Sequence, residues 1–163
     1  MAIWSGIRNK LEKDYLAESL RGHIQYFATS YSHCPDHEGR AAIRLDGEEI
    51  VSGGYYNQWM KADLYPHDEK YERRMQEEHP FMDEVALNLG CFDQREFYRA
   101  FDVFDNQSIE ESFISENLIV KIFAILDRRT GKRKLKTMKN HIESEPKVIQ
   151  LFYSIRTDAE KMN

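Results

Sequence analysis

The basic segment, residues 128–139, is the part of the sequence whose composition most directly indicates chemistry. It carries seven lysines and arginines in twelve residues. Thr130-Gly131 predicts a turn in front of a helix, and backbone N–H groups at the start of a helix attract anions. Guanidinium groups beside such a turn bind phosphate or carboxylate through paired hydrogen bonds. We therefore predict that four residues of this segment bind an anion: Arg128, Arg129, Lys132 and Arg133.

The charge of the rest of the chain leaves two interpretations of this segment open. Residues 1–127 hold 13 Lys/Arg and 24 Asp/Glu, a net charge of −11, whereas residues 128–163 hold 10 and 4, a net charge of +6. An acidic remainder repels phosphate, which disfavours general nucleic-acid binding, but salt screens that repulsion beyond ~8–10 Å. The segment either contacts RNA, a nucleotide or an acidic protein, or lies on a solvated helix that pairs with the chain's own carboxylates.

Arg40 and Arg44 form a second candidate anion-binding pair. They share one face of a predicted strand, residues 40–46, because side chains alternate along a strand. An exposed face would offer two guanidinium groups to an anion, whereas a covered face would require carboxylate partners. Aromatic residues are frequent in the region of the predicted sheet, and they either stack on bases or belong to the core.

Potential metal ligands cluster in the loop of residues 33–38, which contains His33, Cys34, Asp36, His37 and Glu38. Imidazole, thiolate and carboxylate are ligands of zinc and related ions, but this spacing matches no zinc motif. The two cysteines of the chain lie far apart in sequence and outside any C-x-x-C pair, which is typical of reduced thiols. We predict no metal site and no cofactor.

The enzyme signatures that a sequence can display are absent. The chain has no G-x-S-x-G, G-x-x-x-x-G-K-[ST], G-x-G-x-x-G or H-E-x-x-H motif, and we assign no catalytic residue. The longest apolar run, residues 118–126, is about half the ~18 residues of a membrane span. The first residues lack the features of a signal peptide, so we expect a cytoplasmic protein without membrane contact.

Hydrophobic periodicity predicts a helix followed by a small sheet in the first third of the chain. Apolar residues recur at helical spacing over residues 3–20, and Gly22 is the expected stop. Strands are expected at residues 23–31, 40–46 and 48–52, with Asp46-Gly47 as a hairpin turn. Residues 55–64 are ambiguous.

The remaining sequence is predominantly helical in pattern. Helices are expected at residues 67–78, at 80–90 between Pro80 and Gly90, at 93–104, after a Ser108–Glu111 capping box, at 118–126 and at 132–142. Ser144 is the expected cap of a last helix whose buried face comprises Val148, Leu151, Phe152 and Ile155. The prediction is a single α+β domain over residues 1–163: an N-terminal helix, a three-stranded antiparallel sheet and a mostly helical C-terminal two-thirds.

Several sequence blocks resemble a family of small, conserved bacterial cytosolic proteins of uncharacterised function. They include Leu20-Arg21-Gly22-His23-Ile24-Gln25-Tyr26, Asp36-His37-Glu38-Gly39-Arg40 with Leu45-Asp46-Gly47, Ser108-Ile109-Glu110-Glu111-Ser112, and Leu126-Asp127-Arg128-Arg129-Thr130-Gly131-Lys132-Arg133. The resemblance covers most of the chain except residues 55–90. It implies a bacterial cytosolic protein and carries no activity, site or cofactor with it.

Three functional hypotheses follow from these observations. The first is a non-enzymatic binding or regulatory protein that acts on a protein partner, with self-association into a homo-oligomer as one form of that partnership. The second is an RNA- or nucleotide-binding protein that uses the basic segment. The third is a small metal-dependent hydrolase that uses the loop of residues 33–38.

Overall fold

The computed structural model describes residues 3–30, 39–53, 87–88, 90, 92 and 94–162. Its elements confirm the predicted α+β class, with an N-terminal helix, a three-stranded antiparallel sheet and a mostly helical remainder. The helices are α1 (Trp4–Asn9), α2 (Gln94–Asp105), α3 (Ile109–Phe113), α4 (Leu118–Leu126), α5 (Lys132–Lys139) and α6 (Lys147–Ala159). The strands are β1 (Ile24–Ser30), β2 (Gly39–Leu45) and β3 (Glu48–Gly53). The loop of residues 33–38, both cysteines and the elements predicted over residues 55–86 lie outside the described residues.

The sheet has the order β1-β2-β3, and both strand pairs are antiparallel. Tyr26 of β1 pairs with Ile43 of β2, which in turn pairs with Val51 of β3. Asp46 and Gly47 have φ values of 50° and 89°, so the hairpin turn uses the left-handed backbone that the Asp-Gly pair predicts. This part of the sequence prediction is confirmed.

The core lies between one face of the sheet and helices α2, α4 and α6. Helix α4 is central, since every residue from Ile119 to Leu126 except Lys121 is buried. Its Phe123 ring lies 5.5 Å from Phe97 and 5.4 Å from Phe104 of α2, measured between ring centroids. The helix predicted over residues 118–126 is therefore confirmed, and it lies buried at the centre of the core.

The N-terminal helix is shorter than the predicted range of residues 3–20. Helix α1 continues as a wider π-helical turn (Lys10–Tyr15), and the backbone becomes extended at Leu16. Leu16 forms an isolated antiparallel bridge with Asp127, where the N–H of Ala17 donates to the carbonyl of Leu126 at 2.9 Å. The N–H of Arg128 donates to the carbonyl of Tyr15 at 2.7 Å. The helix ends early because its backbone pairs with the α4–α5 loop.

Three predicted details near the C-terminus are also wrong. Helix α5 ends at Lys139 rather than residue 142, because a separate 3₁₀ turn (Ile142–Ser144) follows it. Ser144 does not cap α6, since its hydroxyl donates to the carbonyl of His141 and Pro146 is the N-cap residue. Leu151 of α6 is exposed, whereas Val148 and Phe152 are buried as predicted. The Ser108–Glu111 capping box is confirmed.

Within the described ranges, no helix has both the length and the hydropathy needed to cross a membrane.

Candidate anion-binding site

A buried arginine of α6 fixes the loop between α4 and α5. Arg156 is only 3% exposed, and its Nη1 donates to the carbonyls of Ile125 and Asp127 at 2.7 Å each. Its Nη2 donates to the carbonyl of Thr130 at 2.9 Å. A cation at the end of α4 also interacts favourably with the helix dipole. Burial lowers the pKa of Arg156, and the carboxylate of Glu160 opposes this effect. The guanidinium therefore holds the loop that precedes α5.

The carboxylate of Asp127 neutralises Arg129 within this loop. Asp127 is 1% exposed and accepts three hydrogen bonds from Arg129, from its backbone N–H at 2.7 Å, Nε at 3.0 Å and Nη2 at 2.8 Å. The guanidinium of Arg129 also stacks on the ring of Tyr15, 4.8 Å from its centroid. The Asp127 hydrogen bond raises the pKa of Arg129. The charge of Arg129 is thus already balanced by the carboxylate of Asp127.

A second carboxylate ties the N-terminal segment to α2. Tyr15 Oη donates to Asp105 Oδ1 at 2.5 Å, and Lys10 Nζ lies 2.8 Å from Asp105 Oδ2. Burial and then the hydrogen bond with Asp105 raise the pKa of Tyr15 to about 12. Burial alone would raise the pKa of Asp105, but the hydrogen bonds from Lys10 and Tyr15 lower it. Together with Arg129, these groups anchor the start of the chain against the α4–α5 loop.

A groove between α5 and α6 is lined mainly by lysines, and we call it the basic groove. Its volume is about 600 Å³. Tyr153 Oη donates to the carbonyl of Leu135 at 2.9 Å, which sets the spacing of the two helices. The groove is lined by Lys132, Lys136, Lys139, Tyr153, Thr157, Glu160, Lys161 and Met162. None of the four lysines lies within 4.0 Å of a carboxylate oxygen of the described residues.

A second depression adjoins the basic groove, and we call it the arginine cleft. Its volume is about 640 Å³, and it shares Lys132 and Glu160 with the basic groove. It is lined by Ala17, Glu18, Ser19, Arg21, Arg128, Arg129, Gly131, Lys132, Arg156 and Glu160. Burial alone would raise the pKa of Glu160, but a 2.7 Å hydrogen bond from Ser19 and the charge of Arg156 lower it. Glu160 is therefore an anion that is already paired.

The structure separates the predicted anion-binding residues of the basic segment by their partners. Arg128 and Lys132 line the arginine cleft, are exposed and have no ion-pair partner in the described part of the chain. Arg133 is exposed and also lacks such a partner, but it lines neither depression. Arg129 reaches the cleft with its charge balanced by Asp127. Among the described residues, a carboxylate of the chain therefore pairs with Arg129 and with none of the other three.

Arg40 and Arg44 occupy a different setting on the sheet. Both contact the carboxylate of Glu49, and Arg44 Nη2 lies 2.9 Å from Glu49 Oε2. Both guanidinium groups also lie over the ring of Phe27, at 5.7 and 4.9 Å from its centroid. They line neither the basic groove nor the arginine cleft. The role of Arg40 and Arg44 in anion binding stays a prediction. Both contact a carboxylate, which is the kind of partner expected for a covered strand face.

Five cations that line the two depressions were not among the anion-binding residues predicted from the sequence: Arg21, Lys136, Lys139, Arg156 and Lys161. Arg21 lies between a 3₁₀ turn and β1, and Lys161 follows α6, so neither belongs to a charge run. Folding places them beside the basic segment. Among the residues that the structure describes, no group of three or more His, Cys, Asp or Glu side chains is arranged to hold a metal. The loop of residues 33–38 lies outside that set.

A model of one protein family matches residues 3–157, nearly the whole chain. The chain belongs to the SF0329 protein family. The matched range includes residues 55–90, which the sequence resemblance did not cover, and all of α5. No curated protein and no solved structure matches the chain.

Proposed function

We propose that the chain is a non-enzymatic binding protein of the bacterial cytoplasm that docks an acidic segment of a protein partner in the basic groove. One observation carries this proposal: four lysines surround one groove, and none of them is paired with a carboxylate of the described residues. Like charges placed together raise the energy of the unbound protein. An anionic partner relieves that repulsion, which makes electrostatic complementarity the driving force for docking.

The charge of the whole chain favours a short acidic segment over a long polyanion. The net charge is −5, and residues 1–127 alone carry −11. An extended nucleic acid would reach beyond the groove and meet this acidic surface, which repels phosphate. Helix α5 has eight residues. It is therefore about 12 Å long, and an extended peptide of about four residues spans that length. A short acidic peptide is thus attracted by the lysines of the groove and does not extend to the acidic surface that would repel it.

The lining of the groove also suits a peptide. Tyr153 and Met162 add apolar surface between the lysines, and the hydroxyl of Thr157 adds a polar group. Lysine presents a compact charge on a flexible stem, which tolerates carboxylates at several spacings. These features support recognition of acidic character rather than of one fixed ligand geometry.

Fluorescence anisotropy with a labelled oligoglutamate peptide tests the proposal. We expect saturable binding that weakens as NaCl rises from about 50 to about 200 mM, because salt screens exposed charges. Lys136→Glu should weaken binding about fivefold, equivalent to about 1 kcal/mol for one reversed surface charge.

The matched control is Lys147→Glu, which makes the same charge change at an exposed lysine that lines neither depression. The affinity of this control variant for the peptide should stay within about twofold of the affinity of the unmodified protein. Equal weakening by both variants would refute the groove as the site, because net charge alone would then explain the effect. Single-stranded RNA is the second probe. RNA binding without peptide binding would overturn the protein-partner proposal in favour of nucleic acid.

A further inference from the structure

The arginine cleft has an excess of positive charge that the groups around it leave uncompensated. Five cations of the described residues line it: Arg21, Arg128, Arg129, Lys132 and Arg156. Two carboxylates also line it, and Asp127 behind it balances Arg129. Counting these three anions against the five cations leaves a net charge of +2. A phosphate monoester carries about −1.5 to −2 near pH 7. The cleft therefore matches a phosphate group in charge.

The carboxylates that line the cleft do not neutralise all of its cations. Glu160 Oε1 accepts hydrogen bonds from both Ser19 and Arg156, so this carboxylate already pairs with one of the five cations. The Glu18 side chain is 87% exposed, and its nearest approach to Arg21 is 3.9 Å. Such a solvated contact contributes little. Arg128 and Lys132 make no ion pair within 4.0 Å among the described residues, although the charge of Lys132 helps to lower the pKa of Glu160. Three cations thus face the cleft with little compensation.

The guanidinium of Arg21 and the backbone of Arg128 are held in place before binding. Arg21 Nη2 donates to the carbonyl of Lys13 at 2.9 Å, which orients its guanidinium and leaves other N–H groups for a ligand. The backbone of Arg128 is fixed by its hydrogen bond to Tyr15 and by the Arg156 contacts on both sides of it. Groups held in place before binding lose less entropy when they bind. Arginine also matches the oxygens of phosphate with paired donors.

We propose that the arginine cleft binds a phosphate monoester group, so that the acidic segment in the basic groove carries a phosphorylated side chain. The two depressions share Lys132 and Glu160, and a segment lying in the groove therefore reaches the cleft. This inference rests on the proposed function, and it names the modification of the partner.

Paired peptides test this inference: a labelled acidic peptide containing one serine, and the same peptide with that serine phosphorylated. The intact protein should bind the phosphopeptide about tenfold more tightly, since hydrogen bonds to charged groups are the strong ones. Arg128→Gln should weaken binding of the phosphopeptide more than binding of the unphosphorylated peptide and so remove most of that preference. The control, Arg133→Gln, removes an exposed charge of the same segment that lines neither depression, and it should keep the preference.

The outcomes separate this inference from the proposed function. Equal affinity for both peptides overturns the phosphate inference and leaves the groove intact, whereas binding of neither peptide overturns the proposed function. Thermal stabilisation by inorganic phosphate provides a second readout. Stabilisation that Arg128→Gln removes, without a preference for the phosphopeptide, overturns the assignment to a phosphorylated protein and indicates a small phosphorylated molecule instead.

Discussion

Replacing Arg156 by methionine tests whether this residue holds the α4–α5 loop. Methionine keeps an unbranched stem in the buried position and removes every N–H donor. Three carbonyls then lose their side-chain donor, those of Ile125, Asp127 and Thr130. A buried acceptor left without a partner costs about 1–3 kcal/mol. Because the arginine cleft lets water approach, we expect the lower figure for each carbonyl, a total loss of about 3 kcal/mol in unfolding free energy.

Urea denaturation followed by far-UV circular dichroism measures this loss. The m-value should stay constant, because the variant keeps its fold and exposes the same surface on unfolding. Arg156→Lys retains the charge but offers a point donor instead of a planar fork, so it should recover only part of the stability. Arg128→Ala, at an exposed neighbouring position, should change the stability by less than about 0.5 kcal/mol. A loss below about 1 kcal/mol in Arg156→Met would refute the assigned role.

Three further predictions concern stability and are measured by the same denaturation. Tyr15→Phe should lower the free energy of unfolding by about 1 kcal/mol. Because the pKa of Tyr15 is raised from 10.0 to about 12, the stabilisation by its hydroxyl is present below pH 10 and is lost towards pH 12. The Tyr15→Phe variant should not show this decrease in stability at high pH. Of these two serines, Ser108 caps a helix and Ser144 does not. Ser108→Ala should therefore lower the free energy of unfolding by about 1 kcal/mol, and Ser144→Ala by less than about 0.5 kcal/mol. Leu135→Ala should lose about 2–5 kcal/mol and the exposed Leu151→Ala under about 1.

Features that depend on neighbours in sequence were predictable from the residues. The Asp46-Gly47 turn and the capping box that starts at Ser108 each follow from a few adjacent side chains. The continuous apolar run of α4 likewise indicates a helix buried on all sides. Local backbone preference and burial pattern point to the same structure at these positions, which is why the predictions are confirmed.

Features that depend on distant segments were not predictable in this way. Periodicity continues to residue 20, but the backbone of Leu16 leaves the helix to pair with Asp127, more than a hundred residues later. Leu151 fits the apolar stripe of α6 by spacing, yet nothing in the described structure covers it. In both cases tertiary contacts decide between conformations or faces that local preference leaves close in energy.

The sequence by itself determined that cations concentrate after residue 127 and that the chain as a whole is acidic. Only the tertiary structure decided which of those cations meet a carboxylate. Arg129 lies against Asp127, Lys132 lies between two depressions without an ion pair within 4.0 Å among the described residues, and Arg21 and Lys161 join the site from elsewhere in the chain. The physical reason is that electrostatic interaction falls with distance in space, and folding sets that distance independently of separation along the chain.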